Sequence, residues 1–348
     1  MIRYTKGNLL DAPTQALVNT VNTVGVMGKG IALLFKEAFP ENYREYVRTC
    51  KRGELVPGKL LLVREHTLNG DRIIINFPTK KEWYQKSSYS YIESGLKELL
   101  RIIESETIGS IALPPLGCGN GGLQWDRVKE LIEKYLSTSS AEILVFEPQE
   151  SVRATLAVTD RNVKLTPARA MIAYALFRYE SKGEFSSLFA ANKLAYFLQR
   201  MGEKLKLDFK PNYYGPYSPK VAHVLYLING KFLTGLEEKD AKPFEILHLN
   251  YDAYSELEKY IRNELTCEQQ SRLTNLEKLI EGFDSTLALE TLSSVDFILN
   301  GNPSYSSEEV YDAISNWSPR KKTLIKPVFV NQAIQRLKEY NQDIHFGE

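Results

Sequence analysis

Two glycine-rich loops hold the residues best suited to chemistry. The first runs Val18-Asn19-Thr20-Val21-Asn22-Thr23-Val24-Gly25-Val26-Met27-Gly28-Lys29-Gly30 into an apolar helical pattern over residues 31–39. Glycines this close let backbone N–H groups approach an oxyanion, and the N-terminus of the following helix adds favourable potential, so the loop suits a diphosphate. A tight strand-to-helix connection would use the same residues, and G-x-x-G-x-G matches neither the Walker lysine loop nor the dinucleotide fingerprint. The second loop, Pro114-Pro115-Leu116-Gly117-Cys118-Gly119-Asn120-Gly121-Gly122-Leu123-Gln124-Trp125, places four glycines within six residues. The chain entropy lost in ordering them favours a ligand over a plain turn. Cys118 sits where a nucleophile could, but no histidine lies near it in sequence, which favours a small buried thiol.

Each loop follows an expected strand and feeds an expected helix. Short β-branched runs at 2–5, 16–20, 59–63, 72–77, 110–113 and 141–146 read as strands, several of them apolar throughout, as strands covered on both faces are. Between them Ile92, Leu96, Leu99, Leu100 and Ile103 recur at helical spacing, as do Val128, Leu131, Ile132 and Leu136. The simplest assembly is an α/β domain, a mixed six-stranded sheet between helices. After Pro148 strand runs nearly stop, and helices are expected at 167–179, 187–201, 219–227, 253–265, 269–283, 286–299, 307–317 and 328–340. The hinge is expected between Glu147 and Leu165, giving domains at about 1–150 and 160–348.

A length of 348 residues, 43% of them hydrophobic and 25% charged, fits two ordinary domains and excludes disordered and low-complexity classes. Cys50, Cys118 and Cys267 are too far apart for a disulfide framework or a metal knuckle, which fits a reducing cytoplasm. The opening MIRYTKGNLL shows no basic leader with a long apolar run, so neither secretion nor membrane insertion is expected. His223, His248 and His345 are scattered, so no metal is expected, and no cofactor either. The net charge of +1 hides a strong asymmetry. Residues 151–236 hold 13 basic and 5 acidic side chains, whereas 237–312 hold 6 basic and 17 acidic ones. The acidic stretch reads either as a solvated helical surface or as a face that occupies a basic nucleic-acid groove, as a DNA mimic would.

Gly7-Asn8-Leu9-Leu10 after the first strand, Asn19 to Asn22, Gly25 to Gly30 and Gly117 to Trp125 together resemble a macrodomain, the module that holds ADP-ribose. Within that family the segments GVMGKGIA, NFPTKK and LPPLGCGNGGLQW resemble the terminal ADP-ribose glycohydrolase branch. They are nearer still to the DarG-type antitoxins that oppose DarT-type DNA ADP-ribosyltransferase toxins. Ala191 to Gln199, with Asn212 to Pro219, resembles the Panacea-type helical antitoxin modules over about 165–235. The aromatic residues there, Tyr196, Phe197, Tyr213, Tyr214 and Tyr217, serve equally as a core around a tight turn or as a binding face.

The macrodomain resemblance implies where the ligand lies. Asn8, with Leu9, would face the adenine where most macrodomains carry Asp, keeping a carbonyl acceptor but losing the charge. Asn19 lies in the motif, and Asn22 would reach the distal ribose. Gly25, Val26, Met27, Gly28 and Gly30 would grip the diphosphate from one side, and Leu116, Gly117, Cys118, Gly119, Asn120 and Gly121 from the other. Lys80 is the implied catalytic residue, with Asn22 beside it. A lysine can attack the anomeric carbon, or stabilise charge on the leaving group and orient water, and burial or the adjacent Lys81 would lower its pKa. The glycohydrolase branch carries an aspartate where this chain has Gly121, so a lysine-aspartate pair cannot be assembled from these loops.

The function so implied is a two-part antitoxin. Its first half would hydrolyse the bond between ADP-ribose and thymine in single-stranded DNA, releasing ADP-ribose, and its second would sequester the DarT-type toxin. A non-enzymatic ADP-ribose reader and a hydrolase of ADP-ribosylated protein or O-acetyl-ADP-ribose share the glycine loops. Lys80 separates enzyme from reader, and the helical tail separates antitoxin from housekeeping hydrolase.

Overall fold

The computed structural model describes residues 1–67, 70–148, 163–236 and 242–343, which form two compact units; the chain passes from the first to the second after residue 148, and residues 181–183 return to the first. Most of the expected hinge, the acidic trio Glu237, Glu238 and Asp240, and His345 lie outside the described residues.

In the first unit the strands are β1 (Ile2–Thr5), β2 (Ala16–Val21), β3 (Leu61–Thr67), β4 (Gly70–Pro78), β5 (Ser110–Leu113) and β6 (Glu142–Phe146). They form one sheet in the order β1-β6-β5-β2-β4-β3, parallel throughout except for the antiparallel β3–β4 pair. Four helices cover it: α1 (Gly30–Ala38), α2 (Pro40–Lys51), α3 (Tyr89–Ser105) and α4 (Trp125–Leu136). Alternate strand residues serve opposite faces, as the strand period of two requires. Ala16, Val18, Ile73, Ile75, Phe77, Ile111 and Leu113 pack with the apolar stripes of α3 and α4. Leu17, Ile74 and Ala112 pack with Phe35 and Phe39 on the other side. Gly95 lets α3 lie directly on Phe77, since a Cβ there would enter the ring.

Two features depart from sequence expectation. Strand β3 starts two residues later than the expected Lys59 and runs on to Thr67, because its pairing with β4, from Leu61 opposite Asn76 to Thr67 opposite Gly70, sets its length. Its polar end is recruited: buried Glu65 accepts from the N–H groups of Glu41 at 3.2 Å and Asn42 at 2.7 Å, capping α2 with an acid at its positive end. Helix α2 lies outside the expected helices; its stripe Tyr43, Tyr46, Val47 and Cys50 packs with Val21, Met27 and Leu55, and beside that stripe it buries the polar Asn42 and Thr49.

The second unit is built mainly of helices: α5 (Pro167–Ser181), α6 (Leu188–Arg200), α7 (Pro219–Ile228), α8 (Tyr254–Glu264), α9 (Cys267–Leu279), α10 (Thr286–Gly301), α11 (Ser307–Trp317), α12 (Pro319–Leu324) and α13 (Pro327–Glu339). Two short antiparallel pairs join them, β7 (Lys210–Asn212) with β8 (Gly215–Tyr217) and β9 (Leu233–Thr234) with β10 (His248–Leu249). Helices α6 and α10 are buried along most of their length and hold a polar network between them. Asp296 accepts from Tyr196 at 2.5 Å and Arg200 at 2.8 Å. Glu290 accepts from Lys321 and from Arg320, each at 2.7 Å, and Lys193 donates to the Pro216 carbonyl at 2.7 Å. Buried charges of this kind persist only when paired. Tyr196 and Phe197 are therefore core, while Tyr213 is 53% exposed at the β7–β8 turn.

The acidic tally of 237–312 overstates the acidic surface. Glu290 and Asp296 are buried and neutralised, and Glu256, Glu258, Glu268 and Glu277 pair with Lys231, Arg262, Arg272 and Arg178.

Candidate active site

The parallel strands β1, β2, β4 and β5 end at one edge of the sheet, and the loops leaving these carboxyl ends carry the expected site residues. Open parallel sheets bind ligands at this edge, because helix N-termini and connecting loops converge there. Several contacts tie the loops together. The Thr79 N–H donates to the Val21 carbonyl at 3.0 Å and the Thr23 N–H to the Lys81 carbonyl at 2.9 Å, extending the β2–β4 pairing past the strand ends. Across the edge, Asn120 Nδ2 lies 3.1 Å from where a Cβ on Gly30 would stand, so the two glycine loops face each other.

Asn22 shapes the first loop. Its Oδ1 accepts from the Val24 N–H at 3.0 Å, the Val26 N–H at 3.3 Å and the Tyr46 hydroxyl at 2.9 Å, while its Nδ2 donates to the Val26 carbonyl at 2.6 Å. The side chain is 4% exposed, so its main role in this structure is to hold residues 23–26. Gly25, at φ +86°, occupies the left-handed region and packs against Cys50 and Val47 of α2.

Bonds within the chain brace the second loop: Cys118 N–H to Pro115 carbonyl at 3.0 Å, Leu123 N–H to Gly117 carbonyl at 3.0 Å and Ser87 N–H to Gly121 carbonyl at 2.9 Å. A Cβ on Gly121 would collide with the Ser87 hydroxyl and the Gly117 carbonyl, whereas one on Gly119 meets nothing within 4 Å. Position 121 is thus closed to any side chain, and position 119 opens to space. Burial pushes the Cys118 thiol up to about 12, which makes it a poor nucleophile near neutral pH.

Lys80 is part-buried just past β4, where its Nζ donates to the Trp83 carbonyl at 2.8 Å. Burial, and after it the charge of Lys29, lower its pKa to about 8. The assisting cation is therefore not the sequence neighbour Lys81 but Lys29, which the fold brings over from the first glycine loop.

Other expected contacts are placed less directly. Leu9, Met27 and Leu116 turn their side chains into the core, so any ligand contact there falls to the backbone. Asn19 is also fully buried; its Nδ2 donates to Asn76 Oδ1 at 3.1 Å, and Asn76 donates on to Asn42 at 2.6 Å. This amide chain locks β2 to β4 and α2, so the side chain of Asn19 has a structural role rather than the expected ligand contact. Asn8 stands at the exposed end of β1, accepting from the Leu10 N–H at 3.2 Å and donating to the Asp11 carboxylate at 3.0 Å. Lys29, Tyr46, Ser87 and Asp11 were not singled out from the sequence. Only the adjacency of Lys29 to two loop glycines could have pointed to one of them.

A six-stranded mixed sheet with glycine loops at its carboxyl edge defines a macrodomain, and residues 18–132 match the Macro domain family. A DNA ADP-ribosyl glycohydrolase of Thermus aquaticus is 39% identical over 328 residues, covering 94% of this chain and 90% of that one. The chain belongs to the DNA ADP-ribosyl glycohydrolase family. A DNA ADP-ribosyl transferase-DNA ADP-ribosyl glycohydrolase fusion protein of Thermosipho africanus is 36% identical over 160 residues, which cover 42% of this chain and 41% of that protein. Among solved structures, the macrodomain of Thermus aquaticus DarG is 52% identical and covers 42% of this chain and 99% of its own, with a TM-score of 0.41. Among the described residues no helix is long and apolar enough to cross a membrane.

Proposed function

We propose that the protein is an antitoxin whose macrodomain hydrolyses the N-glycosidic bond joining ADP-ribose to thymine in single-stranded DNA, and whose helical unit sequesters a DarT-type transferase in the cytoplasm. The observation that carries the enzymatic reading is Lys80, a lysine with its pKa near 8 at the mouth of an anion cradle. A passive reader of ADP-ribose has no use for such a group. Membership of the family supports the DNA substrate, and the joining of transferase and glycohydrolase in one relative supports the partner.

In this reading the two glycine loops grip the diphosphate, through Gly25, Gly28 and Gly30 on one side and Gly117, Gly119 and Asn120 on the other. Asn8 meets the adenine with the Asp11 carboxylate beside it, which restores the negative charge that Asn8 alone lacks. Asn22 holds the loop against which the distal ribose rests. Roughly a tenth of a lysine with a pKa of 8 is neutral at pH 7, and the neutral amine attacks the anomeric carbon. The carbon–nitrogen bond breaks, its electron pair stays on the thymine imide nitrogen as a delocalised anion, and that nitrogen takes a proton from water. The hydroxide so formed then displaces the Lys80 amine from the anomeric carbon, so that one water in total is added, Lys80 is restored and free ADP-ribose results. A delocalised leaving group needs little protonation, which fits a site where Gly121 leaves no room for an acidic side chain. The test is release of ADP-ribose from a single-stranded oligonucleotide carrying the modified thymine. Binding of free ADP-ribose without turnover of that oligonucleotide would leave only a reader.

A further inference from the structure

The loop from β4 to α3 reads Thr79-Lys80-Lys81-Glu82-Trp83-Tyr84-Gln85-Lys86-Ser87-Ser88, and the reaction above uses only one of its side chains. It carries three lysines, one acid and two adjacent aromatic residues. The loop is anchored to its neighbours at three points, the Thr79 N–H on the Val21 carbonyl, the Thr23 N–H on the Lys81 carbonyl and the Ser87 N–H on the Gly121 carbonyl, and is braced within by the Lys80 amine on the Trp83 carbonyl. The Trp83 and Tyr84 rings meet edge to face with centroids 5.4 Å apart, both part-exposed. Lys86 is exposed, and its stem passes 3.9 Å from the Cβ position of Gly122 in the second glycine loop. Arg127 lies 4.1 Å over the ring of Tyr89, which begins α3. Lys29 and Lys81, both exposed, add positive charge on the side of the first loop. Aromatic rings and cations thus lie along the loop that holds Lys80 and beside the two glycine loops.

We infer that this loop seats the DNA flanking the modified thymidine, with Tyr84 stacking on a neighbouring base and Lys81 and Lys86 taking the adjoining phosphates. The inference rests on the DNA reading above. Every base has a flat π-face and every linkage a negative charge, so a surface of rings interleaved with cations holds a single strand with little regard to sequence. A modified protein side chain brings neither a stacked neighbour nor a repeating phosphate, so these residues would add nothing for such a substrate.

Two substrates separate this role from catalysis: ADP-ribosylated thymidine as a single nucleoside, and a single-stranded oligonucleotide with the same base at its centre. In the full chain, Tyr84→Ala should raise KM for the oligonucleotide about fivefold or more. It should leave kcat and all nucleoside kinetics unchanged, and Tyr84→Phe should behave as the parent. Lys81→Gln with Lys86→Gln, two exposed positions whose loss leaves the fold intact, should also raise KM for the oligonucleotide alone and flatten its dependence on salt. Equal losses on both substrates, or none on either, overturn the inference. Release from neither substrate by the unsubstituted chain instead overturns the DNA reading itself.

Discussion

The amine of Lys80 donates to the carbonyl of Trp83 at 2.8 Å, three residues further along the same loop. That bond is made by charged and neutral amine alike, so it fixes the nitrogen in place while burial and Lys29 make its proton easier to lose. The proposed diphosphate cradle is separate, built from backbone on the two glycine loops. Lys80→Ala should therefore lower kcat at least a hundredfold, on the order expected for removing a reacting group, while ADP-ribose still binds with near-parental affinity by calorimetry. Near-normal turnover would show that Lys80 is not the reacting group.

The lowered pKa sets a pH profile. If the neutral amine reacts, kcat should rise with pH through about 8 and level off above it, since deprotonation is then complete. Removing the second cation in Lys29→Ala should move that limb upward, yet keep it below the ordinary lysine value, because burial is the larger cause. A rate that falls as pH passes 8 would assign Lys80 an electrostatic role as ammonium.

Two glycines of one loop should respond in opposite ways. Gly119→Glu places bulk and negative charge in open space, so the melting temperature should hold while ADP-ribose binding is lost. Gly121→Ala forces a collision with Ser87 and the Gly117 carbonyl, and should cost about 1–3 kcal/mol of stability. Normal ADP-ribose affinity in Gly119→Glu would mean that the cradle lies elsewhere.

Each unit has its own core, and the proposed chemistry lies wholly in the first. A fragment cut within residues 149–162 should keep hydrolysis, and the helical remainder alone should protect cells from the toxin. A well-folded first fragment without activity would show that the helical unit completes the site.

Helix α11 offers the sharpest test of mimicry. Glu308 and Asp312 line a groove of about 510 Å³ with Ser307, Tyr311, Pro327 and Asn331. Reversing these two acids to Lys should weaken toxin binding and its sensitivity to salt, since screening reaches about 8 Å at physiological ionic strength. Glu309 is better left alone: its carboxylate accepts from the Ser306 N–H at 2.7 Å as part of a capping box, so its loss would damage the helix itself. Single-stranded DNA should compete with the chain for the toxin. A ternary complex of toxin, DNA and antitoxin would return the acidic run to a solvated surface.

Local pattern was enough for much of this protein. β-branched runs bounded by turn residues marked all six strands of the first unit, and helical spacing of Leu and Ile marked α3 and α4, because those elements bury apolar side chains at regular intervals. Glycine spacing marked both loops at the carboxyl edge of the sheet, because Gly25, Gly30, Gly117 and Gly122 take positive φ and Gly121 has no room for a Cβ. Where burial is polar the pattern is silent, and only the tertiary structure decided. Helix α2 hides Asn42 and Thr49 beside its apolar stripe, β3 is lengthened by its pairing with β4, and Asn19 was drawn into an amide chain with Asn76 and Asn42. The same limit applies to charge. A tally along the chain cannot register that Glu290 and Asp296 are neutralised by Arg320, Lys321 and Arg200, or that the cation depressing Lys80 is Lys29, 51 positions away, rather than Lys81 beside it. Electrostatic interaction depends on distance through space and on exclusion of water, and neither is written in the order of residues.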